Sequence, residues 1–84
     1  MKALVLEKPG SPDTLKIAEQ PLPDPAPGEV RVRVMAVGLN PVDYKTAEWG
    51  WPSWKWPHIL GLDVAGKIDS VGTNITSWKP GDRV

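Results

Sequence analysis

Cysteine is absent from the 84 residues. That excludes a disulfide framework, a CxxC zinc knuckle and a thiol nucleophile within the chain. Histidine occurs once, as His58, and one imidazole cannot build a histidine-based metal site. No metal-binding residues are therefore expected. Excess charge is lacking too: ten Lys and Arg balance ten Asp and Glu. The basic residues are dispersed, and the longest basic feature is Arg31 and Arg33, so no nucleic-acid partner is expected. Long apolar runs are missing. The longest near the start, Ala3 to Leu6, has four residues. A signal-peptide core needs about 7–15 apolar residues and a spanning helix about 20. These absences predict no membrane association and a cytoplasmic location. Asn74-Ile75-Thr76 fits the glycosylation pattern but reads as a polar turn without a secretory signal. No G-x-G-x-x-G occurs, so the chain carries no dinucleotide fingerprint. Gly61 to Lys67 falls one residue short of a phosphate-binding loop, because Ile68 stands where the magnesium-binding hydroxyl is required.

Turn formers are abundant: ten prolines and eight glycines. They divide the chain into short segments. Lys2 to Lys8 predicts a strand with a buried centre, closed by Pro9-Gly10. Thr14 to Gln20 alternates, with Leu15 and Ile17 on one face and Lys16 on the other. It predicts a second strand antiparallel to the first. Four prolines between Pro21 and Pro27 cannot donate to a ladder, so that stretch is an extended connector. Glu29 to Val37 is the clearest strand. Val30, Val32 and Val34 are expected to face the core, with Glu29, Arg31 and Arg33 towards water. Arg31 and Arg33 read as a solvated strand face, with anion binding as the sharper alternative.

Asn40-Pro41-Val42-Asp43 carries a helix-start signature. Asn is a strong N-cap, Pro suits the first helical position, and Asp43 at the third favours the positive helix end. Gly50 and Pro52 should stop this helix early. Trp49, Trp51, Trp54 and Trp56 crowd into eight residues with Gly50 and Pro52 among them, which predicts a loop. The rings could form a stacking platform, pin the loop to the fold, or border a substrate entrance. His58 reads as structural, and Asp63 as a turn or backbone partner. Leu60 to Val71 predicts another strand, in which Ala65 and Gly66 suggest a close backbone approach or a bulge. Gly72-Thr73-Asn74 and Trp78 to Asp82 are turns, and Arg83-Val84 begins a further strand. The pattern is mostly β, with short antiparallel strands, Pro/Gly turns and one short helix, consistent with a small barrel or sandwich.

Six motifs in order bear a resemblance. They are Met1-Lys2-Ala3-Leu4-Val5, Pro27-Gly28-Glu29-Val30, Gly38-Leu39-Asn40-Pro41-Val42-Asp43, Pro57 through Gly66, Val71-Gly72, and Lys79-Pro80-Gly81-Asp82-Arg83-Val84. Together they resemble the N-terminal, GroES-like part of medium-chain dehydrogenase/reductases, closest to the zinc-free, quinone-oxidoreductase-like branch. The resemblance implies a partial GroES-like barrel over residues 1–84. It implies that the rest of this domain and a Rossmann NAD(P)-binding domain lie beyond the chain, within a larger two-domain α/β enzyme. It also implies reduction of quinones, enones or other activated alkenes by hydride from NADPH or NADH. The isolated segment is expected to be inactive. Zinc-dependent members carry Cys where Asn40 stands, His where Leu62 stands and a hydroxyl where Val42 stands, so no catalytic zinc is expected. By the same resemblance Asn40 and Tyr44 contact substrate, Tyr44 as the catalytic proton donor, and Asn40 and Asp43 touch the cofactor. Trp51 and Trp54 would border the substrate. The expected partners are a small quinone or enone, and the full-length protein is expected to be a homo-oligomer. The alternative reading is a freestanding β-barrel binding module that uses its Trp-rich loop.

Overall fold

A computed structural model describes all 84 residues. The order of elements is β1 (Lys2–Leu6), a 3-10 turn (Pro12–Thr14), β2 (Lys16–Glu19), β3 (Val30–Gly38), α1 (Pro41–Trp49), β4 (His58–Ile59) and β5 (Asp63–Val71). The chain falls into two compact units. One comprises Met1–Pro21 with Gly38–Leu62, the other Leu22–Val37 with Asp63–Val84. No helix is long and apolar enough to cross a membrane.

The first unit is built on a three-stranded sheet in the order β2-β1-β4. β1 and β2 pair antiparallel, as the alternation predicts, with Leu4 opposite Ile17 and Val5 opposite Lys16. Ser11 starts the connecting turn: its hydroxyl accepts from the Asp13 N–H at 3.3 Å. The other edge of β1 takes β4, with Leu6 opposite His58. Val5, Leu6 and Ala47 are the buried apolar side chains of this unit. The burial has a sequence cause. Val5 and Leu6 sit in the central strand of the sheet, and Ala47 is a small residue on the helix. The Gly10 N–H donates to the Ala47 carbonyl at 2.8 Å, tying the hairpin to the helix. Ile17 stays 66% exposed, so the expected apolar face of β2 is not a core face.

The second unit pairs β3 with β5. Gly66 and Ile68 are buried on β5. The small residue is required: a Cβ at Gly66 would overlap the Arg33 carbonyl and lie 2.9 Å from Val32 Cγ1. The expected close approach is therefore real. Arg83 forms an antiparallel bridge to Lys67, so the strand signal at the end of the sequence is realised locally.

Three expectations change. The strand expected from Leu60 to Val71 begins at Asp63. Gly61 takes φ +121°, which interrupts extended backbone, and His58–Ile59 pairs separately with β1. The valine face of β3 is only partly covered: Val30 and Val32 are half-buried, whereas Val34 is 56% exposed. Arg31 is not a solvated side chain. Its Nε donates to Asp69 Oδ1 at 2.7 Å and its Nη1 to the Pro23 carbonyl at 3.1 Å. With its guanidinium held by a carboxylate, Arg31 is not available for an anion.

Candidate active site

Helix α1 positions the site. Its start is fixed by a capping box: Asp43 Oδ2 accepts from the Asn40 N–H at 2.9 Å, and the Asn40 side chain accepts from the third helical position. This satisfies N–H groups that the helix itself leaves unpaired. It also fixes Asn40 and Asp43 relative to each other. One turn later the Thr46 hydroxyl is buried and donates to the Val42 carbonyl at 2.6 Å. Gly50 ends the helix, with its N–H donating to the Thr46 carbonyl at 2.7 Å.

Gly50 takes φ +68° and ψ 165°, a conformation open essentially to glycine. It turns the chain into the tryptophan loop. There Trp49 and Trp51 meet edge-on with centroids 4.7 Å apart, and Trp54 and Trp56 at 5.9 Å. The Trp56–Pro57 bond is cis. His58 lies flat on Trp54, with ring centroids 3.8 Å apart and planes within 8°. These contacts hold the loop's rings against one another, and Trp54 against His58 of β4.

Two cavities open beside the helix, both within the first unit. One, of about 230 Å³, is lined by Leu4, Leu15, Leu39, Asn40, Asp43, Tyr44, Leu60 and Gly61. Its wall is mostly leucine and largely apolar, with Asn40, Asp43 and Tyr44 among the lining residues. The other, of about 200 Å³, is lined by Thr46, Trp51, Trp54 and His58 along with Val42, Ile59 and Leu62. Asp43, Leu60 and Gly61 belong to both, so the cavities share a wall. The predicted residues are therefore brought together in two groups. Asn40, Asp43 and Tyr44 meet at the leucine cavity; Trp51 and Trp54 line its neighbour, which Asp43 also borders. The sequence reading passed over His58 and Thr46 as cavity residues. His58 had no periodic signal, because its place depends on the short pairing of β4 with β1.

Protonation can be addressed at His58. Burial disfavours its charged form and lowers its pKa below the usual value, which favours the neutral imidazole. No group of three or more His, Cys, Asp or Glu side chains is arranged to hold a metal ion.

The alcohol dehydrogenase GroES-like domain family matches residues 26–84. The chain belongs to that family, within the medium-chain dehydrogenase/reductases. A trans-enoyl reductase of Aspergillus flavipes is 40% identical over 99% of this chain and 24% of its own length. A quinone oxidoreductase of Pseudomonas aeruginosa is 39% identical over 89% of this chain and 23% of its own length. Among solved structures, a mycobacterial protein in complex with NADPH superposes with a TM-score of 0.87. It is 30% identical over 99% of this chain and 26% of its own. The family fold agrees with the mostly β, GroES-like reading of the sequence. The chain spans about a quarter of the length of the curated relatives it matches.

Proposed function

We propose that this GroES-like segment forms one wall of the active site of an NAD(P)H-dependent reductase acting on quinones or on alkenes conjugated to a carbonyl. In that reading residues 1–84 are the N-terminal part of a two-domain enzyme, and the segment alone is inactive. Two features support the larger assembly. The chain covers a quarter of its relatives' length, and β3 leaves Val34, Met35 and Val37 exposed.

The single observation that carries the reading is the leucine cavity with Asn40, Asp43 and Tyr44 at its edge. An uncharged planar ring bearing a carboxamide fits such a wall: apolar faces meet leucine, and polar groups meet the few polar side chains. Asn40 and Asp43 would hold the nicotinamide there. The bound nicotinamide supplies a hydride. As hydride reaches carbon, negative charge develops on the substrate oxygen, and a positioned donor stabilises it. Tyr44 is 49% exposed, and its hydroxyl makes no hydrogen bond within the chain. It can therefore give a hydrogen bond, then its proton, to that oxygen. The capping box holds Asn40 and Asp43 on the wall.

A catalytic zinc does not fit the residues present. Zinc takes thiolate, imidazole or carboxylate in such sites. Asn40 offers an amide, Leu62 a hydrocarbon, and no cysteine exists in the chain. The reading is therefore of metal-independent hydride transfer. It also implies a small-molecule substrate, a location in the cytoplasm and a homo-oligomeric full-length protein.

The test is steady-state oxidation of NADPH and NADH by the full-length protein with quinones and enones. Tyr44→Phe should lower kcat about 10²- to 10⁴-fold, the usual range for a lost acid catalyst, with KM little changed. A Tyr44→Phe enzyme with unaltered kcat would overturn the role of Tyr44. Absence of turnover with every quinone and enone would overturn the reading itself.

A further inference from the structure

We propose that residues 22–28 form a strap that lifts as a local unit, and that Arg31 is the latch that holds it against the β3–β5 sheet. The device lies wholly within the second unit. It is independent of the reductase reading and of the two cavities.

The way the strap is held is the first argument. Pro23, Pro25 and Pro27 have no N–H, so the segment cannot be held by a ladder as a strand is. Burial does not hold it either: Leu22 is 57% exposed. Its two ends differ. The Gly28 end is tied down through the backbone. The Gly28 N–H donates to the Thr73 carbonyl at 3.0 Å, and the Gly72 N–H to the Glu29 carbonyl at 2.8 Å. Glu29 closes the turn: its N–H donates to the Ala26 carbonyl and its Oε1 accepts from the Ala26 N–H, each at 3.0 Å. Gly72 lies so close that a Cβ there would overlap the Ala26 carbonyl. At the Leu22 end, the hydrogen bonds to residues 22–25 come from Arg31 alone.

The second argument is the geometry of Arg31. Its side chain is 22% exposed, and its Nε donates to Asp69 Oδ1 at 2.7 Å, which fixes the guanidinium on the sheet. From that position Nη1 donates to the Pro23 carbonyl at 3.1 Å. The Asp24 carboxylate stands 3.5 Å from Nη1 with its side chain 96% exposed, so water screens it and it adds little. One planar group thus serves the sheet through one nitrogen and the strap through another. A lysine ammonium keeps the charge but lacks this rigid fork. Proline explains why one latch suffices. Its fixed φ limits the conformational freedom gained when the strap lifts, so little entropy favours opening. Opening slackens the tether between β2 and β3 and leaves the β3–β5 pairing intact.

The experiment is native-state proteolysis of the full-length protein with endoproteinase Asp-N, reading cleavage of the Pro23–Asp24 bond by mass. A protease acts on an opened segment, so with fast reclosing the rate follows the open population. Arg31→Lys should raise that rate about 10- to 100-fold, the usual worth of a hydrogen bond from a charged group. Asp69→Asn leaves the Pro23 contact but loosens the guanidinium, and should raise the rate less. The double variant should be no faster than Arg31→Lys alone, because both changes act through one latch. In nitrogen-15 relaxation, the Leu22 and Asp24 amides of Arg31→Lys should fall from order parameters of about 0.85 to below about 0.6. Exchange protection of the Gly28 and Ile68 amides, which bond to the Thr73 and Asp82 carbonyls, should stay unchanged. Unchanged cleavage and order parameters in Arg31→Lys would overturn the proposal, as would additive rate increases in the double variant. So would loss of protection at Gly28 and Ile68 matching the gain in cleavage, since Arg31 would then support the whole sheet and not a local latch.

Discussion

Replacing Gly50 with alanine should weaken both the helix end and the tryptophan loop, and the size of the effect follows from the geometry. Gly50 sits at φ +68°, ψ 165°. Residues with a side chain pay about 1–3 kcal/mol to remain in such a region. The new Cβ would also stand 3.1 Å from Trp56 Cζ2 and 3.2 Å from Pro9 Cγ. Trp56 is 40% exposed, so it can yield by a few tenths of an ångström, but doing so disturbs its edge contacts with Trp54 and His58. Together these terms make a cost of about 2 kcal/mol reasonable. That is a large share of the roughly 4–13 kcal/mol expected of a folded segment this size. Hydrogen exchange of the full-length protein, read on the peptide covering the helix and loop, measures it directly. A loss of 2 kcal/mol corresponds to about 30-fold faster exchange through native-state opening. Adding Trp56→Leu to Gly50→Ala should relieve the ring overlap and leave the conformational part. Exchange within about 2-fold of the original in Gly50→Ala would refute the reasoning, because the φ cost has no route of escape that keeps the helix end intact.

Other consequences are equally direct. Gly66→Ala places a Cβ against the Arg33 carbonyl, which as backbone cannot step aside, so exchange protection should be lost across β3 and β5. Retained protection there would contradict the close approach. Stability should also fall with acidification in a window set by His58. Its folded pKa lies below the ordinary histidine value of about 6.5, so the unfolded chain takes up the proton first. The His58 contribution is complete above pH about 6.5 and is lost as pH falls through the folded pKa. Asp82 is also lowered, through hydrogen bonding from the Lys79 backbone N–H, but acts only in the carboxylate range. Thermal melts from pH 7.5 to pH 5 of the protein and of His58→Phe check this: the variant should show the flatter profile (roughly, over that interval).

Much of the site was legible because its signals are local. The capping residues Asn40 and Asp43 stand three apart, and Gly50 marks the helix end, so the helix could be placed within a residue. The β1–β2 hairpin followed from alternation and the Pro-Gly turn between them. Features that depend on distant pairing were hidden. β4 is two residues long and exists through its ladder with β1, so the sequence showed no strand there and His58 read only as structural. Arg31 looked solvated because its partner, Asp69, lies 38 residues away. Val34 shows the opposite limit. Alternation says which side chains share a face of a strand, but not how far along that face the cover extends. The division of the site residues between two cavities likewise came from the fold, since Leu4 and Leu15 reach the Asn40 cavity from the other end of the sequence.

The central claim is hydride transfer to a quinone or conjugated alkene without metal, and one measurement tests it most directly. The full-length protein is stripped with a strong chelator, its metal content is verified, and its oxidation of NADPH by a quinone and by an enone is followed before and after. The account expects turnover to survive undiminished, and added zinc to leave it unchanged. Activity that vanishes on stripping and returns with stoichiometric zinc would contradict it, because neither Asn40 nor Leu62 offers that ion a ligand of the usual kind.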